Sequence, residues 1–399
     1  METVVLKFGG TSLGSIEKIK NVAKRIIAKK NENLNVVAVL SAMGKETDEL
    51  VNLANQISKT PQKRELDMLM SIGEQKSIAL MAMSIEELGY DCISMTGFQA
   101  GIKTYGSYTK SRIHDIEIEN IKKYLQEGKI VIIAGFQGIN ENKDITTLGR
   151  GGSDTSAVAI ASKLNCKCEI YTDVDGIYTI DPRLYKKAKK LDTISYEEMI
   201  QMSSTGSSVM EKRSVEIGCN NNVEIYVASS SEDIVGTYIT KKQKNLEDKI
   251  VTGCSVMNNM MIVNIGHILQ KSRIISNLLK DISNINIDID MISIVEEYNQ
   301  CYEFSFTINK IDFIEVESII KNILDKGIEI KIKENISKIS LTGIGIMTQS
   351  NILSDIIYLL YENDIDYKKL KTSEIDITIA IDSKDTKKAI DLITKKFNL

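Results

Sequence analysis

Histidine is nearly absent from this chain: His114 and His267 are the only two in 399 residues. Neither has a serine or cysteine nucleophile motif or a second ligand near it in sequence, which sets aside a histidine-based triad and a histidine-rich metal site. Cysteine is sparse as well. Cys92, Cys166, Cys168, Cys219, Cys254 and Cys301 are scattered, and the spacing of Cys166 and Cys168 fits neither a zinc knuckle nor a CxxC redox pair. They read as buried thiols in a reducing compartment. No stretch approaches the roughly 20 apolar residues of a membrane span, and the N-terminus opens directly on a strand, without a cleavable signal. The expectation is a cytoplasmic protein with no membrane partner. Charge of one sign is lacking too, since 50 Lys and Arg stand against 54 Asp and Glu for a net −4. Without a local basic block there is no footprint for nucleic acid, and small-molecule ligands are favoured.

What is present starts at Lys7-Phe8-Gly9-Gly10-Thr11-Ser12, which closes an apolar strand (3–8) and opens a helix. Glycines let backbone N–H groups approach an anion, a helix N-terminus adds its positive end, and a lysine before the turn offers a mobile charge. Ile16, Ile19, Val22, Ala23, Ile26 and Ile27 then fall on one helical face. The motif lacks the ending of a P-loop and the third glycine of a dinucleotide fingerprint. Alone it leaves open a strand, turn and helix that bind nothing.

At this length two or three domains are expected. The first 230 residues alternate strands with amphipathic helices, the pattern of an α/β sheet covered on both faces. Strands are expected at 4–8, 36–41, 92–95, 130–135, 168–172 and 223–227, and a helix at 64–88 whose methionine-rich stripe is core packing. Loops at 41–44, 135–152 and 173–182 each follow a strand's C-terminal end, where ligands sit in open α/β sheets. A polar, lysine-rich stretch from Ser229 to Asp248 reads as an interdomain connection. Two βαββα stretches follow, with strands at 260–265, 289–295 and 302–308 and helices at 272–285 and 314–324. The second copy has strands at 339–343, 365–370 and 375–381 and helices at 352–362 and 386–397. They suggest paired regulatory domains, or a single α+β domain built for dimerisation.

The densest cluster is Gly149-Arg150-Gly151-Gly152-Ser153-Asp154, again at a helix start. Arg150 can grip a carboxylate with two parallel hydrogen bonds, and Asp154 can hold a lysine or a metal-bound phosphate. Either Gly-rich turn alone could be structural.

KFGGTS, Ser41-Ala42-Met43-Gly44, Gly73-Glu74, Thr96-Gly97, Ala134-Gly135-Phe136-Gln137-Gly138, GRGGSD, Thr172-Asp173-Val174-Asp175-Gly176 and Asp181-Pro182-Arg183 stand in the order seen in aspartate kinases. This half resembles that branch of the amino-acid kinase superfamily, and the second half, with Asn286 to Met291 and Thr372-Ser373-Glu374-Ile375, resembles its tandem ACT domains. The resemblance implies a three-layer amino-acid kinase fold with a mostly parallel central sheet at 1–230, a linker at 231–250, and two interleaved, ferredoxin-like α+β ACT domains at 251–399. It implies transfer of the γ-phosphoryl group of ATP, with Mg2+, to the β-carboxylate of L-aspartate. An ionised carboxylate needs no general base, so scarce histidine is no obstacle.

By the same resemblance Lys7 bridges the transferring phosphoryl oxygens, with Phe8, Gly9, Gly10 and Ser41 around it, and Asp154 orients Lys7. Arg150, Glu74, Thr47, Gly151, Gly152 and Ser153 hold aspartate, and Thr172, Asp173, Tyr178, Asp181 and Arg183 line the ATP site. No protein metal ligand is implied. Asp173 and Asp175 read on their own as turn formers before Mg2+ ligands. Lysine or threonine is the implied effector, and a homodimer through ACT domains, or a homotetramer, the implied assembly. Two departures stand out. Ser208 occupies a place where many aspartate kinases carry a nucleotide-side lysine, with Lys212 one turn farther along as the candidate substitute. Gln270-Lys271-Ser272-Arg273 and Thr348-Gln349-Ser350-Asn351 replace the usual Pro-Gly effector turns. Competing readings are a glutamate or N-acetylglutamate kinase and a non-catalytic amino-acid sensor.

Overall fold

Val4, Leu6 and Phe8 alternate with Val5 and Lys7 along the first strand, β1 (Thr3–Phe8), and this period of two sends the two sets to opposite faces of a sheet. The computed structural model describes residues 1–241, 250–270, 272–285, 287–297, 301–321, 328–346, 349 and 351–399. Two compact units result. Unit 1 holds Met1–Tyr178, Lys190–Ser204 and the described residues of Ser208–Glu247, and unit 2 holds Thr179–Lys189, Thr205–Ser207 and the described residues of Asp248–Leu399.

After β1, unit 1 runs through α1 (Ile16–Asn31), β2 (Asn35–Leu40), α2 (Glu46–Ile57), α3 (Lys63–Met70), α4 (Ile72–Glu86), β3 (Cys92–Met95), β4 (Ile102–Tyr105) and β5 (Arg112–Ile116). It continues with α5 (Glu119–Gln126), β6 (Ile130–Ala134), β7 (Gln137–Ile139), β8 (Ile145–Thr147), α6 (Gly152–Leu164) and β9 (Lys167–Thr172). Last come β10 (Thr193–Ser195), α7 (Tyr196–Ser204), α8 (Lys212–Asn221), β11 (Ile225–Ser229) and β12 (Thr237–Thr240). The main sheet has the order β10-β12-β11-β9-β1-β2-β6-β3, parallel at every neighbouring pair except β11 with β12. Val4, Leu6 and Phe8 pack with Val36, Ala38 and Leu40 against Ile19, Val22 and Ile26 of α1 and Ile78 and Met81 of α4. Val5, Val37, Val39 and Ile133 pack on the other face against Ala157, Val158, Ala161 of α6 and Val215 of α8. Helix, sheet and helix make three layers, and β1 lies at the centre with β2 on one side and β9 on the other.

Three expectations change here. The helix expected at 64–88 is two helices, because the Ser71 carbonyl accepts from the Gln137 side chain at 2.9 Å and Gly73 is pressed on Ala42, where a Cβ would meet Ala42 Cβ at 2.7 Å. A four-stranded sheet in the order β5-β4-β7-β8 was not foreseen at all. The stretch read as a linker, 231–250, contains β12, whose Thr237 and Ile239 are buried in the main sheet, while 242–249 lie outside the described residues.

In unit 2 the elements are β13 (Gly253–Leu269), α9 (Ile274–Asn284), β14 (Asp290–Glu297), β15 (Cys301–Asn309), α10 (Lys310–Lys321), β16 (Glu329–Thr342), α11 (Asn351–Tyr361), β17 (Tyr367–Thr372), β18 (Asp376–Asp382) and α12 (Thr386–Phe397). This is the βαββα order twice. Strands β13 and β16 far exceed the expected 260–265 and 339–343 because each serves both copies. They pair with each other from Gly253↔Thr342 to Gly266↔Glu329, β15 joins β13 from Met260 onward, and β18 joins β16 from Ile336 onward. Two cores form around this shared ladder, one with Phe304, Phe306, Leu278 and Val316, the other with Ile339, Leu341, Ile356, Ile379 and Ile393. The second also takes in Cys254 of β13 and Ile180 of the inserted segment. Lys271, Asn286, Leu324, Thr348 and Ser350, named in the sequence reading, lie outside the described residues.

Candidate active site

Lys7 shares the face of β1 that carries Val5, so its side chain rises on the α6 side, one residue before the strand ends. Asp154 sits in the first turn of α6, and its Oδ1 lies 2.5 Å from Lys7 Nζ. Each is 8 % exposed. The contact is charge against charge, without hydrogen-bond alignment at Oδ1. A Cβ at Gly9 would stand 3.4 Å from Lys7 Nζ, and one at Gly10 would meet the Ala42 carbonyl at 2.7 Å. The two glycines therefore keep the turn low beside the ammonium and the loop after β2. Backbone bonds tie that loop in: Ser41 N donates to Phe8 O at 3.2 Å and Gly44 N to Gly10 O at 2.9 Å. A 3-10 turn (Gly10–Leu13) begins at the second glycine, and α1 begins only at Ile16, capped by Ser15, so the long helix does not start at the motif as expected.

The second glycine-rich turn closes over the same sheet edge. Gly149 and Gly151 take φ of +79° and +61°, which favours glycine, and Gly151 is the N-cap of α6. A Cβ at Gly135 would strike Ser153 at 2.9 Å, and one at Gly152 would strike the Phe136 ring at 2.7 Å, so the end of β6 and the start of α6 touch directly. Ser153 is buried, while Arg150 is exposed at the rim. Sequence reasoning passed over two residues behind this turn. Arg213 of α8 donates to Ser111 O at 3.1 Å and to Leu148 O, and Glu211 presses against Gly151, where a Cβ would come within 2.3 Å of Glu211 Cβ. Nothing in their spacing marks them. On the far side Asp67, fully buried on α3, accepts from Thr109 N at 3.0 and 2.9 Å and from the Thr147 hydroxyl at 2.5 Å.

Glu74, in the first turn of α4, is 3 % exposed. Its Oε1 accepts from Ala42 N at 3.0 Å and its Oε2 is buried with no hydrogen-bond partner. Burial pushes its carboxyl up to about 8. Through Ala42, Glu74 and Gly10 meet at one loop. Thr47, half-buried, lies one residue into α2 from Glu46.

Beyond the C-terminal end of β9, Gly9 N donates to Tyr171 O at 3.2 Å and Ser230 N to Thr172 O at 2.8 Å. The Tyr171 ring stacks on Phe8 at 5.1 Å and carries the Arg25 guanidinium at 4.8 Å. Thr172 bonds its neighbour Asp173 at 3.0 Å, which is exposed. Asp175 accepts from the Tyr178 hydroxyl at 3.0 and 3.1 Å and from Lys190 at 3.3 Å. Asp181 and Arg183 belong to unit 2, where they pair with each other at 2.6 Å and the guanidinium holds the Asp181 carboxyl below its usual range. Ser208 is exposed in unit 1, and Lys212 lies 3.6 Å from Glu216. Among the described residues no three His, Cys, Asp or Glu side chains gather as a metal cluster, and no helix is long and apolar enough to cross a membrane.

A parallel α/β sheet with two glycine-rich turns, a buried lysine–carboxylate pair and a second buried carboxylate at one edge defines a small-molecule phosphotransferase class. Residues 2–229 match the amino acid kinase family and residues 339–397 match the ACT domain. The chain belongs to the amino acid kinase family, in its aspartokinase branch. A curated aspartokinase of Bacillus sp. (strain MGA3) is 41% identical over 404 residues, covering 100% of this chain and 98% of the relative. Two Escherichia coli aspartokinase III structures, each 19% identical, share the fold. The complex with aspartate and ADP (R-state) has a TM-score of 0.79 and covers 99% of both chains, and the complex with lysine and aspartate (T-state) has a TM-score of 0.75 over 100% of both.

Proposed function

We propose that the protein is an ATP-dependent aspartate kinase in which Lys7, held by Asp154, is the cation between the two reacting anions. A β-carboxylate oxygen of aspartate attacks the γ-phosphorus, the bond to the β,γ-bridging oxygen breaks, and ADP leaves with 4-phospho-L-aspartate as product. No proton need move, which suits a site edge without histidine. What the reaction does need is charge cancellation and alignment. The single observation that supports the reading best is the buried Lys7–Asp154 contact over Gly9 and Gly10. Asp154 aims the ammonium, and the glycines, having no side chains, let phosphoryl oxygens approach the turn.

In this reading Arg150 grips a substrate carboxylate from the rim, with Gly151, Gly152 and Ser153 beneath it. Glu74 faces the substrate ammonium, and Thr47 adds a hydrogen bond. Thr172, Asp173 and Tyr178 border the nucleotide, with Asp181 and Arg183 assigned to it from the sequence motif. Mg2+ prefers oxygen ligands and keeps phosphate and water in its shell. An ion carried in on the nucleotide would supply further charge neutralisation at the phosphates. The regulatory unit is assigned an end-product amino acid, lysine or threonine, as effector, and contacts between ACT modules of two chains are assigned the dimer. A cavity of about 650 Å³ beside β14 and β17 is lined by Asp290, Ser293, Lys369 and Lys371 among others, and its two lysines suit the carboxylate of such an effector.

ATP-dependent hydroxamate formation from aspartate, glutamate and N-acetylglutamate, with and without lysine and threonine, tests the assignment. Aspartyl hydroxamate alone is expected. Its absence from folded protein sinks the reading, and preference for another acid moves it to a sister kinase. Lys7→Ala is expected to lower turnover by several orders of magnitude.

A further inference from the structure

We infer that Arg213 is a positioning residue for the amino-acid substrate: its guanidinium holds the Gly149-Arg150-Gly151-Gly152 turn in place by its entry carbonyl, and so fixes where Arg150 reaches. The inference deepens the aspartate reading and rests on it. Arg213 lies at the start of α8, more than half withdrawn from water, and its fork spans two segments that are remote in sequence. One nitrogen donates to Ser111 O at 3.1 Å, the other to Leu148 O. Leu148 is the last residue before the turn. Arginine is suited to this because its planar fork presents two donors at fixed separation, whereas an ammonium is a point charge on a flexible stem.

Other contacts flank the turn: Leu148 N donates to Phe136 O at 2.9 Å and Gly152 N to Gly149 O at 3.0 Å. Gly149 is backed by the Thr109 carbonyl, 3.1 Å from where its Cβ would be, and Thr109 is in turn held by Asp67. Ser111 N donates to Thr147 O at 3.0 Å, so the 107–111 loop and β8 already lie side by side. Glu211, the N-cap of α8, fills the space beside Gly151. The turn is thus gripped between the 107–111 loop and the first residues of α8, and Arg213 is the side chain that bonds both flanks. Two glycines with positive φ give the turn freedom, and loss of the guanidinium would leave two carbonyls without their donor and the turn free to shift. Arg150, exposed and long, converts a small shift at Leu148 into a large one at its tip. Lys7, on the central strand, makes none of these bonds itself and meets α6 only through Asp154, farther into the helix.

Steady-state kinetics of Arg213→Ala and Arg213→Lys in the full chain test this, together with hydrogen exchange followed by mass spectrometry. Expected for Arg213→Ala is a rise of tenfold or more in KM for aspartate, KM for MgATP within twofold, and amide exchange at least tenfold faster in peptides covering 107–111 and 145–152 but unchanged in 3–8. Arg213→Lys should fall between, and decides the matter if the alanine variant does not fold. In an Arg150→Ala background, Arg213→Ala should add less than threefold to KM for aspartate, since the two act through one contact. Equal rises in both KM values, or full additivity with Arg150→Ala, overturn the positioning role. Unchanged exchange in 145–152 overturns the clamp itself. Wild-type protein that makes no aspartyl phosphate while the exchange result holds refutes the substrate assignment and leaves the clamp standing.

Discussion

Glu74 is a carboxylic acid in a place that disfavours its charge. In the folded protein burial pushes its carboxyl up to about 8, whereas the unfolded chain releases the proton near the ordinary value of 4.5. Between those values the native state carries one more proton than the unfolded state, so stability falls as pH rises through this window and levels off above it. Glu74→Gln keeps an acceptor for Ala42 N and cannot ionise. Its Tm should therefore decline less between pH 5 and 8 than that of the wild type, and exceed it above pH 8. An identical slope would place the proton elsewhere. The same proton bears on substrate binding. A substrate ammonium set against Glu74 favours the carboxylate, so aspartate binding at pH 7 should release a proton, seen as a buffer-dependent calorimetric enthalpy that vanishes in Glu74→Gln.

At the level of elements, the loops after β1 and β2 meet so closely that only glycine fits at their contact. Gly10→Ala sets a Cβ 2.7 Å from the Ala42 carbonyl, backbone against backbone. A loss of about 1–3 kcal/mol in denaturant unfolding is expected from such overpacking, along with a higher KM for ATP. How far such contacts were legible in the chain depends on their range. Strand β1, helix α12 and the two glycine-rich turns follow from local period and turn chemistry, and the structure brings Lys7 to Asp154. The four-stranded sheet was illegible because its strands are only three to five residues long, so that the alternation of Ile102 and Thr104 with Lys103 and Tyr105 in β4 is too brief to stand out. Glu74 gave no sign of burial, since it stands inside the helix expected at 64–88, where a lone glutamate is normally a solvated surface residue. Arg213 was passed over because its partners, Ser111 and Leu148, are backbone atoms far away in sequence. The break at Ser71 likewise arises from Gln137, a tertiary neighbour that helix period cannot report.

For the molecule as a whole, the connection between units is not a single joint. The chain leaves unit 1 at Thr179, returns at Lys190, leaves again for Thr205–Ser207 and returns at Ser208 before its last departure. Ile180, 1% exposed, packs into the same core as Ile339 and Ile379, and Cys254 N donates to Thr179 O at 2.6 Å. Ile180→Ala should cost unit 2 about 2–5 kcal/mol, measured as an earlier calorimetric transition for that unit with the other unmoved. Because β13 and β16 each run through both βαββα copies, those copies should melt together in that transition rather than in two steps. The order of departures also has a consequence during synthesis, when chains fold from the N-terminus as they emerge. Residues 179–189 leave the ribosome long before β16, β18 and α12 exist to receive them. The segment that continues from the Asp173–Tyr178 loop therefore waits for the end of the chain to find its place, and a chain cut short by premature termination would carry it undocked, with Ile180 open to chaperones and proteases.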